Sequence, residues 1–387
     1  MNFMIIILRF FLNKFINIIS IFVPCGKTIS FCSFPDFTDN PYAVFKKMYT
    51  DERFRNYNLV WLIGEDKKCD YLKKEVFKSY PNVKIVSKSS LKGLYYLLIS
   101  RYHICSHGLS NSLFFHQKKP KIVNLWHGMP LKVIGALDPV YGTTYPNSDL
   151  VIATNAFYAS VMSRSLDVPV EKVLVTGYPR NDLFRDETNF FELFELDKKD
   201  YASVGAWLPT FHKNIVGEDR TDGLYQDGSI EFFDVDKLEE LNVFLSNIKG
   251  LLVIKLHPMD AANNFRFPTF SNIIIVNKDS PSFQLYPFLG KCDYLLTDFS
   301  SVFIDFDILK RPMGFVFSDS ERYKRTRGFI VDNIEDFLPG NIIKNYEEFT
   351  DFIMHFSNRY VETGQKYNKY KDLWSTERLL SVLFNNL

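Results

Sequence analysis

Short runs of apolar residues alternate with amphipathic stretches along most of the chain. The first half contains the runs TISFCSF, NLVWLIG, VKIVS, YHICS, KIVNLW, DLVIAT and KVLVTG, and the second half contains SVGAWL, LLVIKL, NIIIVN, DYLLT and MGFVF. Short apolar runs separated by helical patterns are typical of βα units with a buried parallel sheet. The pattern therefore predicts an α/β protein with two doubly wound, Rossmann-like domains.

The charged, turn-poor stretch 184–200 indicates the boundary between these two domains, since a new strand pattern opens just after it. We expect an N-terminal domain over residues 24–185 and a C-terminal domain over 186–345. Residues 346–387 have a helical pattern and no evident chemistry, so we expect helices there. Residues 1–23 form a separate segment.

The N-terminal segment is strongly apolar but carries Arg9 and Lys14 inside the apolar run, which a secretory signal does not. On a helical wheel its few polar side chains fall within a narrow arc. A helix lying in the membrane interface keeps such a stripe in water, whereas a spanning helix would bury both cations in hydrocarbon. We therefore expect an amphipathic membrane-surface helix ending at Pro24; a spanning anchor and a buried core helix are the alternatives.

The composition limits the kinds of molecule that the protein can bind. The chain has 387 residues with 46 Lys and Arg against 45 Asp and Glu, a net charge of +1, so no global field attracts nucleic acid and any basic site must be local. The 46% of hydrophobic residues excludes a disordered chain. Five cysteines without a C-x-x-C pair favour reduced thiols in the cytosol.

His103, His107 and His116 have the loose spacing of metal ligands. They lack the helix or the carboxylate that a zinc motif needs, so we expect no metal site.

Two histidines each follow an apolar run directly. KIVNLW leads into His127, and LLVIKL leads into His257, with Lys255 on the alternate face of the same strand. Ligands of open parallel sheets bind at the carboxyl ends of strands. A single histidine in such a place is more often structural, but two in equivalent positions of two domains favour proton transfer across an interdomain cleft.

Two further strand ends carry candidate anion ligands. DYLLT leads into Ser300 and Ser301, where hydroxyls and free N–H groups at a helix start suit a phosphate, although an ordinary helix cap is an equal alternative. Asp305 lies one helical turn beyond Ser301, on the same face. KVLVTG leads into Arg180, whose planar guanidinium suits a diphosphate.

Asp234 and Asp236 form a D-x-D sequence of the kind that holds a divalent metal in some sugar transferases. The helical pattern KLEELNVFL follows at once, with Glu239 three residues after Asp236. We therefore interpret Asp236 as the N-cap of a helix.

Five motifs occur in a fixed order: LWHGMPLK, TGYPRND, LPTF, KLHP and LLTDFSSVFIDF. Together with SFPDFTDNPYAVFKKM, YKRTRGF and LPG, they resemble the CDP-glycerol glycerophosphotransferase family, whose enzymes prime and polymerise teichoic acids. The resemblance extends from about Ser30 to Gly340. It implies a GT-B-like fold, with two Rossmann-like domains and a cleft between them, and a membrane-associated N-terminus.

The resemblance also implies a site. His127 and His257 match the two catalytic histidines of the family. The chain departs from the family at Phe299, where tyrosine is common, and at His212, where arginine is common, so His212 is left out of the site. The positions that match contacts to a CDP-linked donor are Gly128, Met129, Pro130, Leu131, Arg180, Pro209, Thr210, Lys255, Leu256, Ser300, Ser301 and Asp305.

The predicted reaction follows from these parts. An acceptor hydroxyl would attack the β-phosphorus of a CDP-alditol, most simply CDP-glycerol, with His127 as general base and release of CMP. The acceptor would be a membrane-linked glycan or polyol phosphate at the cytoplasmic face of the cell membrane, in teichoic acid, capsule or O-antigen synthesis. We expect no cofactor and no metal. The alternatives are a GT-B glycosyltransferase that uses a nucleotide sugar, a non-catalytic nucleotide-binding member of a polysaccharide assembly complex and, more remotely, a metal phosphohydrolase.

Overall fold

The computed structural model describes residues 16, 18, 22–24, 26–64, 72, 76–108, 120–138, 148–209, 230–256, 266–277, 279–317 and 328–384. They fall into two compact units. The first comprises Met1–Met129, Ile134–Asp182 and Asp372–Leu387, and the second comprises Pro130–Val133 and Leu183–Lys371. The chain thus passes to the second unit three residues before the expected boundary, and its C-terminal helix belongs to the first unit rather than to a separate helical part.

Ten α-helices lie entirely within the described residues. They are α1 (Asp39–Thr50), α2 (Leu91–Ile99), α3 (Ala156–Leu166), α4 (Phe190–Leu193), α5 (Val235–Asn247), α6 (Leu285–Leu289), α7 (Val302–Phe306), α8 (Ile334–Phe337), α9 (Tyr346–His355) and α10 (Ser375–Leu383).

The first unit is built on a seven-stranded sheet in the order β3-β2-β1-β4-β5-β6-β7. All neighbouring pairs are parallel. The strands are β1 (Thr28–Cys32), β2 (Asn58–Ile63), β3 (Lys84–Ser87), β4 (Ser100–Cys105), β5 (Lys121–Asn124), β6 (Leu150–Ala153) and β7 (Val173–Val175).

The second unit is built on a six-stranded parallel sheet in the order β10-β9-β8-β11-β12-β13. Its strands are β8 (Ser203–Leu208), β9 (Gly250–Lys255), β10 (Ile273–Val276), β11 (Tyr294–Thr297), β12 (Met313–Val316) and β13 (Asn341–Ile343). Both sheets reverse their strand order beside the first strand, between β1 and β4 and between β8 and β11. Such a reversal opens a crevice at the carboxyl ends of the strands, as in Rossmann-like folds. The predicted pair of doubly wound α/β sheets is therefore confirmed.

The strands read as continuous apolar runs because both faces of each sheet are covered. Trp61 on β2 and Trp207 on β8 are completely buried. Gly205 on β8 makes room for a neighbour, since a Cβ there would lie 2.2 Å from the ring of Tyr294 on β11. The apolar pattern that predicted the strands is thus also the pattern that fills the two cores.

The D-x-D sequence begins a helix, as expected, but the capping residue differs. Oδ1 of Asp234 accepts a hydrogen bond from the backbone N–H of Lys237 at 2.9 Å, so Asp234 is the N-cap of α5. Asp236, the predicted cap, lies in the first turn. The prediction of the capping residue was wrong because the cap requires extended backbone, which Asp234 adopts.

Only a few residues of the N-terminal segment are described. Ile16, Ile18 and Phe22 have helical backbone. Ile16 is buried in the core cluster of the first sheet, whereas Ile18 and Phe22 are 56% and 79% exposed. The rest of the predicted amphipathic helix lies outside the described residues. Among the residues that are described, no helix has the length and apolar character needed to cross a membrane.

Candidate active site

His127 lies just beyond β5, at the carboxyl edge of the first sheet. Its imidazole is exposed to solvent, whereas the strand residues before it are buried. The turn that presents it has a left-handed residue, Trp126, with φ of +50°. The backbone N–H of Trp126 donates to Oδ1 of Asn124 at 3.0 Å, which stabilises this turn. This hydrogen-bonded turn therefore presents the imidazole of His127 to solvent.

Two side chains from outside this turn hold its backbone. Asn40 in α1 donates from Nδ2 to the carbonyl oxygens of Leu125 and Trp126, at 3.3 and 3.0 Å. Arg180 donates from Nη1 to the carbonyl oxygen of His127 at 2.9 Å. The backbone N–H of Arg180 in turn donates to Oδ1 of Asn40 at 3.0 Å. The histidine turn is thus fixed by the start of α1 and by the segment that follows β7.

Arg180 itself is almost completely buried, at 6% exposure. Its Nη1 also donates to Oδ1 of Asp39 at 2.7 Å, and its guanidinium lies 4.8 Å from the ring centroid of Tyr178. These contacts support a role for Arg180 in positioning His127. Direct contact between Arg180 and a diphosphate, which the sequence suggested, stays a prediction.

The hydrogen bond at Nδ1 of His127 determines which ring nitrogen can act as a base. Nδ1 lies 3.3 Å from the carbonyl oxygen of Ser106. A carbonyl oxygen only accepts, so Nδ1 must carry the proton and Nε2 of the neutral ring has the free lone pair. Within the described part of the chain, no hydrogen bond is made by Nε2.

The charge state of His127 favours this role. Surrounding protein lowers the pKa of His127 from its ordinary value mainly by desolvation, and the Arg180 cation lowers it further. The Asp39 carboxylate and the Ser106 carbonyl act in the opposite direction. Because the net pKa is below the ordinary value, His127 is neutral near pH 7 and able to accept a proton.

A second histidine, His107, lies directly against the first. It follows β4, and its ring is nearly parallel to that of His127, with 4.2 Å between centroids and 9° between planes. Nδ1 of His107 lies 2.8 Å from Oγ of Ser106. Desolvation, followed by the proximity of His127, lowers the pKa of His107 to about 4. The sequence had suggested His107 only as a loose metal-ligand candidate.

In the second unit, Lys255 is the last residue of β9 and Pro209 follows β8. Both therefore lie at the carboxyl edge of the second sheet, together with the buried Leu256. Burial lowers the pKa of Lys255 from its ordinary value. Thr210 and the predicted catalytic His257 lie outside the described residues, so the expected facing of His127 and His257 stays a prediction.

The segment after β11 starts helix α7. Ser301 is the N-cap residue, and it makes no cap hydrogen bond through its side chain. Oγ of Ser300 lies 3.5 Å from the backbone N–H of Val302. Asp305 is completely buried and accepts a hydrogen bond from the Tyr286 hydroxyl at 2.8 Å. Of the two serines at which the sequence suggested a helix cap, Ser301 therefore occupies the cap position.

Phe299, where the chain departs from the predicted family pattern, is 5% exposed. Its ring packs against Phe317 at 4.5 Å and against Phe329 at 5.2 Å. The phenylalanine therefore fills an aromatic cluster in which a hydroxyl would need a hydrogen-bond partner.

The sequence after His127 leads into this same cluster of the second unit. The backbone N–H of Ile330 donates to the carbonyl oxygen of Leu131 at 2.8 Å, and Lys132 pairs with Phe329 in an antiparallel bridge. Gly128, Met129, Pro130 and Leu131 are all buried. Contact of these residues with a donor, which the resemblance implied, stays a prediction.

The described residues include no group of three or more His, Cys, Asp or Glu side chains that could hold a metal ion. The expectation that the reaction needs no metal or cofactor is not tested by this observation. His103, the other described histidine of the loose metal-like spacing, is buried in β4, and its Nδ1 lies 3.0 Å from Oγ of Ser30.

Sequence reasoning assigned no place beside His127 to the four residues that surround it: Asp39, Asn40, Ser106 and His107. Asp39 and Asn40 belong to SFPDFTDNPYAVFKKM, a segment that contributed to the family resemblance but to which no role was given. Its two adjacent polar residues at the start of a helical pattern were the available signal. Ser106 and His107 follow β4 as His127 follows β5. Their position at a strand end was therefore a signal in the sequence that they lie near His127.

Comparison with known proteins gives concordant results. The model of a family described as CDP-glycerol:poly(glycerophosphate) glycerophosphotransferase matches residues 15–385. The teichoic acid poly(glycerol phosphate) polymerase of Bacillus spizizenii is 28% identical, over 83% of this chain and 81% of the relative. The teichoic acid glycerol-phosphate transferase of Staphylococcus aureus is 27% identical, over 94% of each chain.

A solved structure extends the likeness to three dimensions. A variant of the wall teichoic acid polymerase TagF, soaked with CDPG, matches with a TM-score of 0.69 at 21% identity, over 93% of this chain and 89% of that one. At this level of identity, the likeness is evidence for a shared fold.

Proposed function

Because the chain belongs to the CDP-glycerol:poly(glycerophosphate) glycerophosphotransferase family, we propose that it transfers glycerol phosphate from CDP-glycerol to a hydroxyl group of a teichoic-acid-type acceptor, with release of CMP. The family inferred from the ordered motifs is confirmed, and with it the assignment of the chain as a transferase. The names of both relatives specify glycerol phosphate, which favours this alditol over ribitol.

The geometry around His127 supports its role as general base. The acceptor O–H gives its proton to Nε2 of the neutral imidazole while the acceptor oxygen bonds to the β-phosphorus of CDP-glycerol. The bond between the β-phosphorus and the bridging oxygen breaks, and that oxygen leaves with CMP. The product is a phosphodiester, and the proton on His127 passes to solvent. Reactions of this type depend mainly on positioning and on neutralisation of charge.

The second unit offers groups for the donor diphosphate. The Lys255 ammonium at the end of β9, and the Ser300 and Ser301 hydroxyls before α7, are suited to phosphate oxygens. His257 and Thr210 match positions of the same site. A diphosphate can be held by such local groups without a basic surface, which agrees with a net charge of only +1.

The observation that carries this proposal is a neutral, exposed imidazole whose proton is fixed on Nδ1, within a chain matched by the family model over 15–385. The test is to incubate purified protein with CDP-glycerol, CDP-ribitol or a set of UDP-sugars, with a lipid extract of the source cell as acceptor. We expect CMP release and polymer labelling with CDP-glycerol. Loss of UDP from a sugar donor would instead support a glycosyltransferase, and tight CDP-glycerol binding without turnover would support a non-catalytic role. Loss of activity in chelator would contradict a metal-independent reaction.

We also propose that the N-terminal segment holds the enzyme at the membrane surface, where a lipid-linked acceptor would be found. The exposed Ile18 and Phe22 support this contact, and Ile16 would connect the helix to the core of the first unit. Deletion of residues 1–15 with Ile18→Ser and Phe22→Ser should reduce co-sedimentation with anionic vesicles while sparing CDP-glycerol binding. Undiminished sedimentation would contradict the proposal.

A further inference from the structure

We propose that His107 is a positioning residue, whose ring holds the His127 imidazole in the orientation and surroundings that its role as a base requires. This inference rests on the proposed function of His127. His107 has no assigned role in the reaction, and the geometry that implies one lies entirely within the first unit.

The adjacency of two parallel strands brings the rings together. β4 and β5 pair in register, with Cys105 opposite Asn124. The chain turns outward after each strand, so His107 and His127 leave the same edge of the sheet side by side. The rings stack with 4.2 Å between centroids. A second ring, that of Trp126, lies 4.4 Å from His127, so two planar groups restrict rotation of the imidazole.

Ser106 connects the two histidines through hydrogen bonds. Its carbonyl oxygen accepts from Nδ1 of His127, and its Oγ faces Nδ1 of His107 at 2.8 Å. Oγ also accepts from the backbone N–H of Phe34 at 3.3 Å. Because a hydroxyl has one O–H donor and two lone pairs, Oγ of Ser106 can make both contacts at once. The Phe34 ring then packs edge-on against His107, with 5.9 Å between centroids.

This geometry excludes a proton relay between the histidines. The N–H bonds of an imidazole lie in the ring plane, and the two planes are nearly parallel, so neither ring can donate to the other. The effect of His107 on His127 must therefore act through contact and desolvation.

The surrounding charges fit a neutral His107. His127 and Lys88 lower the pKa of His107, in addition to desolvation, and Asp39 raises it. Asp39 and Arg180 are the charged groups that act on His127. Because His107 stays neutral down to about pH 4, it covers one face of His127 without adding a charge there. Removing the ring would admit water to that face and raise the pKa of His127 toward its ordinary value.

Three variants separate the ring from its hydrogen bond. His107→Phe keeps a stacking ring but cannot bond Ser106, His107→Gln can accept from Ser106 but has no ring, and His107→Ala has neither. We expect CMP release from CDP-glycerol to fall about 10- to 100-fold in kcat for the Ala and Gln variants, with the donor KM within about twofold, since misplacement of a base affects mainly the chemical step. The Phe variant should keep kcat within about fivefold of the unchanged enzyme.

The pH dependence of kcat/KM distinguishes a positioning role of His107 from a purely structural one, because loss of a structural contact would not shift the acid limb. The acid limb of kcat/KM should shift to higher pH in His107→Ala and His107→Gln, and stay in place in His107→Phe. A direct check needs no substrate: a histidine NMR titration of the full chain, with His127→Asn to assign the resonance, should show the pKa of His127 rising in the Ala and Gln variants.

The outcomes are distinguishable. Unchanged kcat, acid limb and His127 titration in both ringless variants would overturn the positioning role. If the wild-type enzyme releases no CMP, the proposed function is wrong. The NMR titration then still shows whether His107 changes the pKa of His127. If His107→Ala does not fold, His107→Gln provides the same comparison, with the exposed His355→Gln as a control for the loss of a histidine.

Discussion

Arg180 donates to Asp39 at 2.7 Å in an ion pair whose side chains are only 7% and 11% exposed. The same Nη1 reaches the carbonyl oxygen of His127. The most polar residue of the TGYPRND motif is therefore directed into the protein, where it links the start of α1 to the turn that carries the candidate base. Because the Arg180–Asp39 pair is buried, loss of either partner would leave an uncompensated buried charge and destabilise the fold.

Asp39→Ala should lower the free energy of unfolding by about 3–5 kcal/mol, because it leaves the buried Arg180 cation without its carboxylate. CMP release should fall as well, since the His127 turn loses support. Denaturant unfolding and the donor assay measure the two effects. Glu52→Gln is the matched control, because the Arg55–Glu52 pair is 73% and 90% exposed and its loss should change stability by less than about 1 kcal/mol. Equal effects of the two substitutions would contradict the buried role of the pair.

His127→Asn should reduce CMP release by about 10²- to 10⁴-fold, the usual contribution of a general base. The melting temperature should stay close to that of the unchanged protein, because the imidazole is exposed and the turn is held by its backbone. His355→Gln, on the exposed side of α9, should leave both quantities unchanged. Near-normal turnover by His127→Asn would exclude the assigned chemistry.

Lys255→Met should raise the KM for CDP-glycerol by about 10- to 100-fold, since a charge-assisted bond to the diphosphate would be lost. Methionine keeps much of the volume and apolar character of the partly buried side chain. Lys237→Met is a suitable comparison, because Lys237 is an exposed lysine of the same unit that pairs with Glu240. A donor KM that is the same in both variants would remove Lys255 from the site.

Acid should destabilise the protein partly through His103. Complete burial lowers the pKa of His103 to about 3, so between that value and about 6.5 the unfolded chain binds a proton that the folded chain does not. Stability therefore falls as the pH drops below about 6.5, by up to about 1.4 kcal/mol per pH unit for this one group. His103→Gln should reduce the slope of unfolding free energy against pH by up to that amount.

Asp182, the last residue of TGYPRND, binds the start of the C-terminal helix. Its two carboxylate oxygens accept from the backbone N–H groups of Ser375 and Thr376, at 2.9 and 2.7 Å. Asp182→Ala should lower the free energy of unfolding by about 1–3 kcal/mol, because two buried donors lose their acceptor. Hydrogen exchange should rise first in α10, whereas exchange localised to α5 would show that the bonds are unimportant.

The sequence by itself determined the strands, the fold class and the family. An apolar run such as NLVWLIG has few alternatives to a buried strand, and His127, which follows KIVNLW, marks the carboxyl edge of a sheet. These features are local, because they depend on which residues follow one another along the chain. For the same reason the ordered motifs were sufficient to identify the family.

Only the tertiary structure decided what surrounds the candidate base. The stacking of His107 on His127 exists because β4 and β5 are neighbours, and the contacts of Arg180 with Asp39 and His127 join three segments that are distant in sequence. The direction of the Arg180 side chain is also a tertiary property, since the same residue could face solvent or the core from an identical local sequence. Strand order and burial therefore distinguish the side chains that support the site from those that face a substrate, and neither is encoded in the spacing of a motif.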